Sequence, residues 1–279
     1  MPLEKVNEIL KYADEKNFGV AAFNVFNYES IAYAIETAEE EGMPVIAMLY
    51  PGMTNLITFK AFADITKDLA AAAKVPVGLH LDHCKSFETI MSAIHNGFTS
   101  VMVDGASFDF EENVRLTAEV VRASHAMGVD VEAELGHVGS ASNTDDYTNK
   151  SDYTDPDKAA EFAERTGADC LALAIGSAHG AYAREPELDI ELLKKIDSRV
   201  EIPLVLHGGT GIPDEQVRDA IKNGIRKINF GTGNFQAFYR MMEDYLKEPE
   251  RKGSIFDFLA YQKRGVKEYL RDRIRALKI

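Results

Sequence analysis

Short apolar, β-branched runs recur along the chain. Each is followed by a stretch in which apolar residues fall at i, i+3 and i+4 with charged residues between them. The runs at 19–24, 44–50, 76–82, 100–104, 130–134, 170–175, 203–207 and 227–230 read as eight strands. Helices are expected over 30–41, 58–73, 86–96, 111–127, 156–166 and 215–223. Gly42, Gly97, Gly128, Gly167 and Gly224 stand where such helices end. Strand–helix alternation calls for parallel strands joined by right-handed crossovers. Eight units in about 250 residues predict an α/β fold of the (β/α)8 TIM-barrel type. An open, doubly wound sheet is the rival, but regular units with no Pro/Gly/Ser linker favour closure. Residues 1–279 are expected to form a single barrel domain. It carries an amphipathic N-terminal helix over 1–10 and a C-terminal helical extension from about 254, which covers the barrel or packs on a second subunit.

One stretch departs from this plan: 136–156 (GHVGSASNTDDYTNKSDYTDP) is long and polar, as a functional lid or a disordered insertion would be. Composition narrows the class further. With 46% hydrophobic residues and only two cysteines, Cys84 and Cys170, the chain is neither disordered nor a disulfide scaffold. The net charge of −14 argues against a nucleic-acid partner, which needs a basic face. It leaves anionic small substrates open, because a local metal or helix terminus can reverse the field. No apolar run approaches the roughly 18 residues of a membrane span, so no membrane partner is expected and a cytoplasmic location is.

Functional groups in such barrels sit where strands end and loops begin. In order, those positions hold Asn24, Tyr50, Asp82 with His83, Asp104, Glu134, a run leading to His179, His207 and Asn229. His83, His179 and His207 would share one rim, and three imidazoles with an open fourth position make a catalytic zinc arrangement. A histidine taken singly is more simply a satisfied core or helix-end residue, which is how His95, His125 and His137 read. His80 alternates with Asp82 and points into the barrel as a supporting partner. Asp82 is either a general acid/base or a carboxylate that orients an imidazole. The glycine-rich turns 207–213 and 229–233 each lead into a helix, an arrangement that binds phosphate, although tight turns need glycine anyway.

The motifs AAFN, LHLDH, VDG, VEAELG, GSAHG, LVLHGGTGIP and KINFGT, in this order along nearly the whole chain, resemble the class II, metal-dependent ketose-bisphosphate aldolases. That family comprises the fructose-1,6-bisphosphate and tagatose-1,6-bisphosphate aldolases. The resemblance implies a zinc enzyme of glycolytic-type carbohydrate metabolism. It would cleave a phosphorylated ketose reversibly into dihydroxyacetone phosphate and an aldehyde through a metal-stabilised enediolate. His83, His179 and His207 would be the ligands, with Asp104 and Glu134 as acidic members of the metal centre and Asp82 the acid/base at the C4 hydroxyl. Asn24, Gly180, Gly208, Gly209, Thr210, Asn229, Gly231 and Thr232 would bind substrate, with a monovalent cation (sodium or potassium) near Gly180 and Gly208 in some members. A homodimer or homotetramer is implied as well.

The chain departs from the pattern in places. Ser142 falls where the family carries a loop glutamate, so Asp145 or Asp146 is the candidate replacement. Ala181 and Ala183 stand where a lysine is common, with Arg184 as a substitute charge. Arg271, in the basic C-terminal segment, is the candidate for a terminal phosphate, with an exposed charge as the alternative. No lysine stands clearly at a strand end for Schiff-base chemistry; Lys85 is nearest. Two rivals remain: a non-catalytic sugar-phosphate sensor, given the missing glutamate, and a metal-dependent hydrolase barrel, which the Asn24 strand end disfavours. A class II aldolase for a different phosphorylated ketose is a third alternative.

Overall fold

Each of the eight apolar runs becomes a strand, and the strands close on themselves. The computed structural model describes residues 3–279. The chain begins with α1 (Val6–Lys16) and then alternates strand with helix: β1 (Val20–Asn24), α2 (Tyr28–Glu41), β2 (Val45–Leu49), α3 (Phe59–Ala72), β3 (Val77–Cys84), α4 (Phe87–His95), β4 (Ser100–Val103), α5 (Phe110–Ala126) and β5 (Asp130–Leu135). It continues through α6 (Asp145–Thr148), α7 (Pro156–Thr166), β6 (Cys170–Leu173), α8 (Ile190–Asp197), β7 (Leu204–Leu206), α9 (Asp214–Lys222), β8 (Ile225–Phe230), α10 (Thr232–Lys247) and α11 (Ile255–Ala276). Neighbouring strands are parallel in sequence order, and β8 returns to β1 with Ala22 beside Asn229. The expected closed (β/α)8 barrel is the fold.

Alternation along each strand separates two environments. Ala21 and Phe23 face outward into the layer shared with the helices. Val20 and Ala22 face inward, in a cluster with Ile46, Met48, Cys170, Ala172 and Val205. The N-terminal helix begins later than its pattern suggests and runs on to Lys16; Met1 and Pro2 lie outside the described residues. Val6, Ile9, Leu10 and Ala13 of α1 complete the inner cluster, so the helix stoppers the barrel at the strand starts. Gly78 permits this, since a β-carbon there would press on Val6 and Ile46.

The segment 136–156 is not a structureless insertion. It contains α6 and a 3-10 turn, Lys150–Asp152. It also pairs with the loop after β6: His179 N donates to the Gly139 carbonyl and Ala141 N to the His179 carbonyl, each at 2.8 Å. The C-terminal helix is capped by Ser254, whose hydroxyl accepts from Asp257 N. Its Val266, Leu270 and Ile274 are buried against the barrel's helices.

Candidate active site

The inward alternation that buries apolar residues lower in the barrel delivers polar ones at the C-terminal rim. Asn24, Asp82, His83, Asp104, Glu134, His179 and Asn229 line a cavity of about 650 Å³, together with Gly180, Gly208, Thr210, Gly231 and Thr232. His207 lies just beneath, fully buried. On a regular strand Asp82 and His83 would face opposite ways. Instead the β3–β4 register shifts between Leu81 and Cys84, and His83 takes a left-handed φ of 48°. Such a bulge re-aims a side chain, and both groups reach the cavity.

Three ring nitrogens converge. His207 Nδ1 lies 2.9 Å from His83 Nε2 and 3.3 Å from His179 Nε2. Ligands at zinc–nitrogen distances of about 2.0–2.1 Å in a tetrahedron stand about 3.3 Å apart. The other nitrogen of each ring is engaged elsewhere. His83 Nδ1 is 3.1 Å from Asp104 Oδ2, His207 Nε2 is 2.8 Å from Glu132 Oε1, and His179 bonds to the backbone of Val138. Those acceptors take the ring protons and turn three lone pairs toward one point. Asp104 therefore orients His83. The buried Oε2 of Glu134 has no hydrogen-bond partner and lies 3.6 Å from His207 Nδ1.

The electrostatics favour a positive charge at this point. Burial depresses His179 to about 4 and pushes His207 well down. Burial alone would lower His83 too, but Asp82, Asp104 and Glu134 outweigh it and hold it near 9. Burial raises Glu134 to about 8. A cluster of acids thus holds one additional proton on the three imidazoles, at His83, and a divalent ion answers the same demand. The donor set fits a metal.

Asp82 is fixed on both oxygens, by Asn24 Nδ2 at 2.7 Å and Asn229 Nδ2 at 3.3 Å. Burial raises its pKa, but the charges of His83, His207 and Lys227 outweigh that, and it stays below its ordinary value. Asn229 Oδ1 is left buried and unpartnered. In the β7 turn, Gly208 has φ 67°, and a β-carbon there would run into the Ala178 carbonyl. Thr210 Oγ1 accepts from Gly233 N at 3.0 Å, tying this turn to the start of α10.

Several expected residues are not brought to the cavity. Arg271 lies on α11, where its Nη2 pairs with Glu40 Oε2 of α2 at 2.7 Å; tertiary pairing claims its charge. Asp146 accepts from Ser140 N and Asn143 Nδ2, bracing the loop from within, and Asp145 is exposed. Ser142 is exposed, and Arg184 borders a separate groove beside Tyr147. The Gly209 N–H is spent on the Asn229 carbonyl. His137, read as structural, lines the cavity instead. His125 is satisfied by Asp169 at 2.9 Å, as a helix-end histidine should be. His80 points inward, bonded to Ser100 at 2.8 Å.

The reading of the residues missed Glu132 and Lys227, which pair at 2.7 Å with both side chains fully buried beneath His207. Their alternation with Glu134 and Asn229 is the signal that could have found them. Lys85 and Ser107 also line the mouth.

A closed (β/α)8 barrel with a cation-seeking histidine cluster and glycine-rich turns at its C-terminal rim is the frame of a metal-dependent enzyme acting on a phosphorylated small molecule. The family model described as "Fructose-bisphosphate aldolase class-II" matches residues 4–279, and the chain belongs to that family. It is 44% identical over 254 residues to the fructose-bisphosphate aldolase of Geobacillus stearothermophilus, covering 89% of this chain and 88% of that one. It is 40% identical over 278 residues to a probable fructose-bisphosphate aldolase of Bacillus subtilis (strain 168), covering 99% and 97%. The crystal structure of the YdjI aldolase from Escherichia coli K12 superposes with a TM-score of 0.88 at 38% identity, covering 99% and 97%. The protein is a class II aldolase, a lyase of carbohydrate metabolism, and its family acts on phosphorylated ketoses and is generally zinc-dependent.

Proposed function

We propose that this aldolase reversibly cleaves a ketose 1,6-bisphosphate of the fructose or tagatose type into dihydroxyacetone phosphate and an aldehyde. The observation that carries the reading is the convergence of one nitrogen from each of His83, His179 and His207 beside the pinned carboxylate of Asp82. Zinc suits three neutral imidazoles with an open position; when bound, it supplies Lewis-acid polarisation of the ketose oxygens. Glu134, with its unpartnered oxygen, and Asp104, through His83, complete the centre.

Asp82 accepts the C4 hydroxyl proton as that oxygen becomes the aldehyde carbonyl, and the electron pair of the C3–C4 bond stays on C3 of the donor half. Asn24 and Asn229 hold the carboxylate in line for that transfer, and Asn229 Oδ1 is free to accept from a substrate hydroxyl. The turns at Gly180, Gly208, Thr210 and Thr232 hold the phosphate of the donor half and so orient the reacting carbon. A proton delivered to C3 from solvent, with Asp82 returning the C4 proton to solvent, completes the cycle. The loop after β5 contributes His137 and Val138 to the cavity wall, rather than the carboxylates of Asp145 or Asp146.

We place the enzyme in the cytoplasm, which suits its two buried free thiols. Among the described residues no helix is long and apolar enough to cross a membrane. A homodimer or homotetramer suits the exposed Tyr239, Leu246, Ile255 and Phe256 on α10 and α11.

A chelator should abolish turnover and added zinc restore it, while borohydride with substrate leaves the protein unmodified. Dihydroxyacetone phosphate in deuterated water should lose a C3 proton signal. A panel of fructose bisphosphate, tagatose bisphosphate and ketose monophosphates, compared by kcat/KM, assigns the substrate. A borohydride-trapped lysine adduct would sink this account.

A further inference from the structure

A ketose bisphosphate carries an anion at each end, and the two ends of this site are built differently. One end has the glycine turns after β7 and β8. In a closed ring of eight strands, β3 lies across from β7 and β4 across from β8. The opposite wall of the mouth is therefore formed by the loops that follow β3 and β4, with the histidine cluster between. Those two loops supply Lys85 and Ser107, both exposed and both lining the cavity, and Lys85 Nζ donates to Ser107 Oγ at 3.0 Å.

Lys85 is the only lysine or arginine on the cavity wall among the described residues. No carboxylate lies within ion-pair distance of it there; the nearby Asp104 is engaged by His83. The other candidate cations are committed or elsewhere: Lys227 to Glu132, Arg271 to Glu40, Arg184 outside the cavity.

We propose that Lys85 and Ser107 form the subsite for a terminal anion, phosphate or carboxylate, on the aldehyde half of the substrate. Lys85 would supply the charge and Ser107 a hydroxyl donor, and together they would set the preference for anionic over neutral aldehydes. This rests on the aldol reaction proposed above.

The test runs the reaction in the condensation direction, with zinc-loaded enzyme and dihydroxyacetone phosphate as donor. Acceptors are glyceraldehyde 3-phosphate, a carboxylate-bearing aldehyde such as succinic semialdehyde, and neutral glyceraldehyde. The readout is the ratio of kcat/KM for each anionic acceptor to that for the neutral one. Lys85→Met should lower that ratio roughly tenfold to a hundredfold, as loss of a charged hydrogen-bond partner does. Ser107→Ala should lower it roughly twofold to tenfold, and Lys85→Arg should restore most of it. A fall for glyceraldehyde 3-phosphate alone assigns a phosphate subsite; a fall for both anions assigns a general one. An unchanged ratio in Lys85→Met and Ser107→Ala alike overturns the proposal. Failure of the parent reading shows differently: the unsubstituted enzyme would not exchange the C3 proton of dihydroxyacetone phosphate.

Discussion

At the residue scale, the histidine cluster stands on a charged pair that no solvent reaches. Lys227 and Glu132 are both fully buried, and Glu132 also receives His207 Nε2. Removing one member of such a pair leaves an uncompensated charge in the interior. Lys227→Met should therefore cost about 3–5 kcal/mol of unfolding free energy, read by urea denaturation. Adding Glu132→Gln should recover part of that loss, and a wholly additive double variant would show that the two groups are not coupled. The three converging histidines were legible in the sequence because imidazoles at strand ends answer no structural need. Lys227 and Glu132 were not, since a charged residue in a short strand reads as solvent-facing until the barrel closes over it. His83 shows the same limit: nothing in HLDHC announces the left-handed backbone that turns it beside Asp82.

At the scale of elements, α11 lies along α2 through a seam of Lys263, Lys267, Arg271 and Arg275 against Glu36, Glu40 and Glu41. The hydrogen bond from Lys267 holds Glu40 below its ordinary 4.5, and that from Arg275 does the same for Glu41. Glu36, which burial would raise, is held down by Lys263 and Lys267. These carboxylates are depressed in the folded state, so their contribution is complete above pH 4.5 and is lost as pH falls below it. Amide exchange in α11 should accelerate relative to the barrel strands as the pH falls below about 4.5; equal protection on both sides of that pH would mean that Val266, Leu270 and Ile274 suffice. Strands and helices were legible from their periods. Arg271's partner was not, because an i,i+4 pattern shows which face a charge occupies but not what meets it. The loop after β5 was read as polar and long, while its fastening to the His179 loop depends on contacts distant in sequence.

At the scale of the whole molecule, a ligand bound only by the folded state stabilises it. Zinc at a hundred times its dissociation constant should add about 2.7 kcal/mol and raise the melting temperature of the chelator-treated protein by roughly 5–10 °C. His207→Ala should abolish the increment, and an equal rise in that variant would place the ion elsewhere. The same scale governs traffic. Because α1 plugs the barrel where its strands begin, the reaction chamber is a cul-de-sac with one doorway. Two fragments born side by side at its floor must file out through the same opening by which water and buffer ions arrive.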